Sequence, residues 1–118
     1  MLPTRQTVEL DHVPSRPRRF VFVLMPEFTM LCFAAAVESL RIANRMANRK
    51  LYDWTIIAEG GEEVTCSAGV AFRVDGDLSE LNRDDIVLMC GGIDVQKATT
   101  KRVINWLRRE ARRGLAIG

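Results

Sequence analysis

The sequence predicts an α/β domain with a mostly parallel sheet and helices on both faces. Two runs apolar at every position, FVFVLM over residues 20–25 and IVLMC over residues 86–90, read as strands covered on both sides. Two longer segments repeat their apolar residues at the spacing of one helix face. These strand-like and helix-like segments alternate along the chain, the order that a parallel sheet with crossover helices requires.

In chain order, residues 1–19 hold Pro3, Pro14 and Pro17 among charges, show no regular period, and read as a flexible basic tail. The first strand stops at Pro26. Thr29 is placed to cap the following helix, whose buried face is Phe33, Ala36, Val37, Leu40, Ala43 and Ala47. The opposite face carries Glu38, Arg41, Arg45 and Arg49, charges expected to be solvated. Residues 48–52 close the helix, and WTIIAE over 54–59 is a second strand ended by Gly60 and Gly61. Residues 64–67 and 70–74 predict a short hairpin about a two-residue Ala68-Gly69 turn, and residues 77–82 fit a helical turn.

After the strand at 86–90 the paired glycines Gly91 and Gly92 end the apolar run. Val103, Ile104, Leu107 and Ala111 then line one face of a helix over residues 98–113. Lys101, Arg108, Arg109 and Arg112 occupy its solvated face, and Gly114 sits at the C′ position. Residues 115–117 begin another strand. A central parallel strand needs a following helix to cover it, so residues 20–118 are expected to be the front part of a domain incomplete at its C-terminus.

A length of 118 residues suits one compact domain, and 47% apolar with 27% charged residues excludes a disordered chain. Seventeen basic against fifteen acidic residues leave a net charge of +2, the excess lying in the tail, which argues against holding nucleic acid by bulk charge. No window approaches the roughly 18–20 apolar residues of a membrane span, so no membrane partner is expected. The N-terminus lacks the pattern of a secretion signal, and the expected compartment is the cytoplasm. Cys32, Cys66 and Cys90 are far apart and fit reduced thiols. The single histidine, His12, lies in the tail, so neither a zinc set at its usual spacing nor a Ser-His-Asp or Cys-His catalytic set can be assembled. No catalytic residue, metal or cofactor is expected.

In an open α/β sheet, ligands bind beyond the carboxyl ends of the strands. Two bends qualify. In the first, Pro26, Glu27, Phe28, Thr29 and Cys32 join strand to helix: Glu27 offers a carboxylate, Phe28 an apolar wall, and the amides after Thr29 a partial positive charge. The same residues equally make a plain turn with an N-cap and a hydrophobic staple. Cys32 falls where a helix dipole favours the thiolate, but without a basic neighbour it reads better as a small buried apolar side chain. In the second bend, Cys90, Gly91, Gly92 and Ile93, paired glycines let the backbone turn sharply and present N–H groups to an anion, or simply make a turn. The nucleotide-binding patterns G-x-G-x-x-G and G-x-x-x-x-G-K-[ST] are absent, so a phosphate loop is not supported.

Several stretches together resemble the N-terminal domain of AraC-family transcriptional regulators of the amidotransferase-like, PfpI-related type. They are FVLMPEFTMLCFAAAVESLRIANR over residues 22–45, with its P-x-F-[ST] turn and E-x-L-R-x-A-N helix, LYDWTIIAEGG over 51–61, SAG over 67–69, and CGG over 90–92. The resemblance implies a flavodoxin-like, class I glutamine amidotransferase-like fold. It also implies a sensor for a small effector of the amino acid or quaternary amine class, such as arginine, carnitine or glycine betaine. DNA would be bound by a C-terminal helix-turn-helix domain absent from this chain, and the regulator would be a homodimer. PfpI-related enzymes carry an acidic residue where Cys32 stands, so the resemblance implies sensing over catalysis. The alternative is a PfpI-like cysteine-dependent hydrolase or hydratase whose nucleophile lies beyond Gly118.

Overall fold

Side chains of the first strand, β1 (Arg18–Leu24), alternate between two separate cores. The structure is a computed structural model that describes residues 16–118; most of the expected tail, with His12, lies outside the described residues. Arg18 and Arg19, assigned to the tail, instead open β1. The Arg18 amide donates to Leu51 O at 3.0 Å, and the Arg19 guanidinium makes two bonds, 3.1 and 2.6 Å, to the buried carboxylate of Asp85. A basic residue otherwise suited to a tail is held in the strand by a fork-shaped charge pair.

Helix α1 (Met30–Ala47) leads to β2 (Tyr52–Ile57), and β3 (Glu63–Thr65) and β4 (Ala71–Arg73) form a hairpin. Then follow β5 (Ile86–Cys90), the single-turn α2 (Val95–Ala98), α3 (Lys101–Arg112) and β6 (Ala116–Ile117). The main sheet has the order β2-β1-β5-β6 with every pairing parallel; the hairpin is separate and antiparallel. The expected α/β class is therefore the observed one.

On one face Val21, Val23, Met25 and Val87 meet Val103 and Trp106 of α3. On the other, Phe22 and Leu24 meet Phe33 of α1 and Val64 of the hairpin. Each crossover thus covers the face its own apolar stripe dictates. At the end of α1, Asn48 adopts the left-handed conformation and the helix closes. Asn44 ties that end to β2: its Oδ1 accepts from the amides of Leu51 and Tyr52, and its Nδ2 donates to Tyr52 O, all at 2.9 Å.

Three local expectations are corrected. The hairpin turn is a three-residue loop, Ser67-Ala68-Gly69, closed by Cys66 N–H donating to Val70 O at 2.9 Å, with Gly69 at φ 82 supplying the left-handed residue such loops need. Residues 77–82 form no helix, because side chains of Asp77 and of α3 take their backbone groups. Asp77 Oδ1 accepts from Gly60 and Leu78, Trp106 Nε1 donates to Ser79 O, and Glu110 accepts from Leu81 N–H. The helix expected over 98–113 begins three residues later, at Lys101, because the chain is extended at Thr99, where ψ is 119, and the separate single turn α2 precedes it. Thr100 then caps α3 by accepting from Val103 N–H at 3.3 Å.

Candidate functional site at the carboxyl ends of the central strands

β1 and β5 are neighbours, but the chain leaves β1 through α1 toward β2 on one side and leaves β5 through α3 toward β6 on the other. Such a reversal opens a crevice beyond the strands' carboxyl ends. Both bends singled out in the sequence lie there and touch. Thr29 N–H donates to Gly91 O at 3.0 Å, and Met25 N–H donates to Cys90 O at 3.0 Å. A Cβ on Gly92 would approach Glu27 O to 2.4 Å, and one on Gly91 would approach a Val95 methyl to 2.7 Å, so glycine at both positions is what lets the bends close on each other.

The hairpin holds the first bend from the other side. Glu27 N–H donates to Thr65 O at 2.8 Å, and Ser67 N–H donates to Phe28 O at 2.9 Å. Glu27 itself sits at φ 63, in the left-handed region that costs an ordinary side chain about 1–2 kcal/mol. The SAG segment thus serves as a backbone clamp on the P-x-F-[ST] turn, and the strain at Glu27 is held by hydrogen bonds on both flanks.

The nine expected contact residues divide. Pro26 and Glu27 line a cavity of about 370 Å³, together with Met25, Glu59, Glu63, Thr65 and Val103. Phe28 lies in the core against Phe33 and Phe72, with edge-on rings. Thr29 caps α1 through its carbonyl, not its hydroxyl, and spends its amide on Gly91. Cys32 is exposed, against the expectation of a buried apolar role, because the first turn of α1 turns Phe33, not Cys32, into the core. Cys90 is half-buried, Gly91 and Gly92 are partly covered, and Ile93 is fully exposed. Cys90, Gly91, Gly92 and Ile93 do not line the cavity, which opens beside Pro26 and Glu27 toward β2 and the hairpin. Among the described residues, no group accepts from the amides of Gly91 and Gly92.

Three carboxylates therefore share the cavity rim. Glu59 accepts from Thr100 Oγ1 at 2.8 Å and lies 4.0 Å from Arg102. Among the described residues, neither Glu27 nor Glu63 forms an ion pair. Glu59 and Glu63 were not singled out in the sequence; Glu59 had a signal, since it stands at the end of a parallel strand, whereas Glu63 is brought in only by the hairpin. Burial, with the Cys32 thiol nearby, pushes the Cys90 thiol up from an ordinary 9.0 to about 11, so it is protonated at neutral pH. No group of three or more metal-ligating side chains occurs among the described residues, and no described helix is long and apolar enough to cross a membrane. Other concavities lie along α3 and at the amino ends of β1 and β5, away from the switch point.

This parallel sheet with a touching pair of bends is a flavodoxin-like architecture of the DJ-1/PfpI kind. It superposes on a ThiJ/PfpI family protein from Pseudomonas syringae with a TM-score of 0.67 at 16% identity, covering 99% of this chain and 47% of that one. It superposes more closely on an AraC family transcriptional regulator from Pseudomonas putida, with a TM-score of 0.73 at 26% identity, covering 86% of this chain and 55% of that one. No protein-family model matches the chain.

Its sequence relatives are HTH-type transcriptional regulators. The chain is 33% identical over 102 residues to GbdR of Pseudomonas aeruginosa, covering 86% of this chain and 28% of the relative. It is 35% identical over 99 residues to CdhR of the same species, and 35% identical over 102 residues to GlxA of Rhizobium meliloti, covering 29% and 32% of those proteins. The chain spans about a third of the curated relatives it matches. The AraC-type, PfpI-like resemblance read from the sequence is borne out: homologues are AraC/HTH-type regulators and the fold neighbours include PfpI-type proteins.

Proposed function

We propose that this chain is the metabolite-sensing part of an AraC-type transcription regulator, the front of a PfpI-like domain that binds a small effector without transforming it. DNA is bound by a helix-turn-helix domain elsewhere in the full-length protein, which works in the cytoplasm as a homodimer. One observation carries the reading: a PfpI-type fold occurs in a chain whose relatives at 33% and 35% identity are HTH-type regulators.

The site's chemistry supports an effector of the amino acid or quaternary amine class. Glu27, Glu59 and Glu63 surround a cavity floored by Met25 and Val103, a setting for a cationic group carried on a small apolar body. The amides of Gly91 and Gly92, which have no acceptor among the described residues and lie on the far side of the Glu27 bend, suit an anionic end. Cys90 is held protonated, and the position of the acidic partner in PfpI-related enzymes is occupied by Cys32, so neither thiol is arranged as a nucleophile. Effector binding would tighten a bend already held in strain and shift the population of domain arrangements.

Calorimetry of the full-length protein against amino acids and quaternary amines is the test. Saturable binding is expected, weakened about tenfold or more in Glu63→Gln. Binding confined to the separated DNA-binding part, or turnover of the ligand through a thiol adduct, would overturn the reading.

A further inference from the structure

Of the three carboxylates on the cavity rim, Glu59 is the one that the fold grips. Its Oε1 accepts from Thr100 Oγ1 at 2.8 Å, and Arg102 Nη1 stands 4.0 Å from its Oε2. Glu59 follows β2, whereas Thr100 and Arg102 belong to the start of α3. A threonine hydroxyl has a single proton. Given to Glu59, that proton leaves the oxygen to accept from Val103 N–H at 3.3 Å, and Val103 is itself a wall of the cavity. The residue that caps α3 therefore also fixes the Glu59 carboxylate, whose Oε2 makes no hydrogen bond among the described residues.

Arg102 is attached more firmly elsewhere. Its Nη2 donates to Asp77 Oδ2 at 2.9 Å, and Asp77 Oδ1 accepts from Gly60 N–H at 2.9 Å and from Leu78 N–H at 2.7 Å. The Arg102 guanidinium, followed by these two amides, holds the Asp77 carboxyl below the usual carboxylate range, so Asp77 is a charged anchor at neutral pH. Arg102 thus brings its charge to the rim without closing a hydrogen bond to Glu59. It weakens the field of that carboxylate and leaves its second oxygen open to a ligand.

We propose that Thr100 and Arg102 set how a cationic effector is recognised at Glu59, Thr100 by fixing the carboxylate in place and Arg102 by opposing the cation that approaches it. The assignment rests on the cavity being the effector site. Thr100 is then a positioning residue and Arg102 determines charge selectivity. The two side chains start the same helix, yet their removal acts in opposite directions. Without the Thr100 hydroxyl, the Glu59 side chain regains rotamer freedom that a ligand must freeze out. Without Arg102, Glu59 keeps its orientation and offers its full charge, and Asp77, now without a cation, adds to the negative field. Residues that merely held the start of α3 together would weaken binding whichever was removed. Because Arg102 acts through charge, its effect is confined to ligands with a cationic head group.

The experiment is calorimetry of the full-length protein with glycine betaine and arginine as cationic probes. The control is the tert-butylacetate anion, in which carbon replaces the quaternary nitrogen of glycine betaine. Arg102→Met is expected to raise the affinity for the cationic probe about three- to fivefold and to leave tert-butylacetate within about twofold of wild type, while Arg102→Lys, which keeps the charge, stays near wild type. Thr100→Val lowers the affinity about threefold or more, and Thr100→Ser recovers it. In a Glu59→Gln background the gain from Arg102→Met disappears. Without any ligand, hydrogen exchange at the Val103 amide quickens in Thr100→Val and in Glu59→Ala but not in Arg102→Met. Affinities that move the same way in Arg102→Met and Thr100→Val, a gain shared by tert-butylacetate, or Val103 exchange unmoved by Glu59→Ala each overturn the assignment and leave the sensor reading standing. A wild type that binds neither cationic probe overturns both.

Discussion

The carbonyl oxygen of Glu27 occupies the space where a Cβ of residue 92 would stand, 2.4 Å from its ideal position. Because the obstructing atom is backbone, and that backbone is hydrogen-bonded to the hairpin through Glu27 N–H and Thr65 O at 2.8 Å, it cannot swing aside cheaply. Gly92→Ala is expected to destabilise the chain by about 1–3 kcal/mol, the usual cost of forcing an extra methyl into a packed site. Urea unfolding reads the loss, and an unchanged midpoint would show that the two bends do not touch as described. Gly91→Ala, which meets only the Val95 side chain on a single-turn helix, should cost less.

Asn44 is the residue of the E-x-L-R-x-A-N segment that joins helix to strand, with two amides received and one carbonyl engaged. Asn44→Leu removes three bonds and strands partly buried backbone groups of Leu51 and Tyr52, for an expected loss of about 2–4 kcal/mol. Asn44→Asp keeps both acceptor bonds and loses only the donor, setting a carboxylate against Tyr52 O, and falls between. The same unfolding midpoints order the two variants; equal effects would mean that the Oδ1 bonds contribute nothing.

The layering was legible because its cause is local: in β1, buried on both faces, no polar residue interrupts Val21 to Met25, and the helical stripes of α1 and α3 say which elements cover it. The placement of the bends was legible too, since strand order alone brings residues 26–32 and 90–93 to one end of the sheet. What sequence reasoning missed depends on distant partners. The helical pattern at 77–82 was overridden by Trp106 and Glu110, residues that reach those backbone groups from α3. Arg19 became a strand residue only because Asp85 lies beside it in space. The cavity turned toward Glu59 and Glu63 because the hairpin folds over the first bend, a contact between Ser67 and Phe28 that no periodicity announces.

The three thiols should differ in reactivity according to burial. Cys32 is exposed, Cys66 is buried, and Cys90 is half-buried with its thiol pushed up to about 11 by burial and by the neighbouring Cys32. Alkylation by iodoacetamide at pH 8, followed by peptide mass spectrometry, is expected to modify Cys32 first and to leave Cys66 and Cys90 largely unmodified while the chain is folded. Because the folded chain holds the Cys90 proton more tightly than the unfolded one, the associated stabilisation is complete below pH 9.0. It is lost as the pH rises toward about 11. Cys90→Ala should remove that alkaline limb from the stability profile; a limb that persists would assign it to other groups.

Glu110 is fully buried, yet its carboxylate does the work of a backbone partner. Oε1 accepts from Leu81 N–H at 2.9 Å and from Arg113 at 2.7 Å, while Oε2 has no hydrogen-bond donor among the described residues and lies 3.8 Å from Arg109. Two variants separate charge from hydrogen bonding. Glu110→Gln, oriented with its oxygen toward Leu81, keeps that bond and gives up the ion pair with Arg113, whose guanidinium still reaches Glu80 at 3.4 Å. Glu110→Ala leaves the Leu81 amide without an acceptor and opens a void beside Trp106, and should cost about 3–5 kcal/mol against roughly 1–2 for the glutamine. Hydrogen exchange at the Leu81 amide gives the residue-specific readout. Strong protection in the wild type and in Glu110→Gln, with fast exchange in Glu110→Ala, is the expected pattern, because the bond from α3 is what holds residues 77–82 in place without a helix of their own. Equal protection in all three would mean that the segment is held by Trp106 and Asp77 alone.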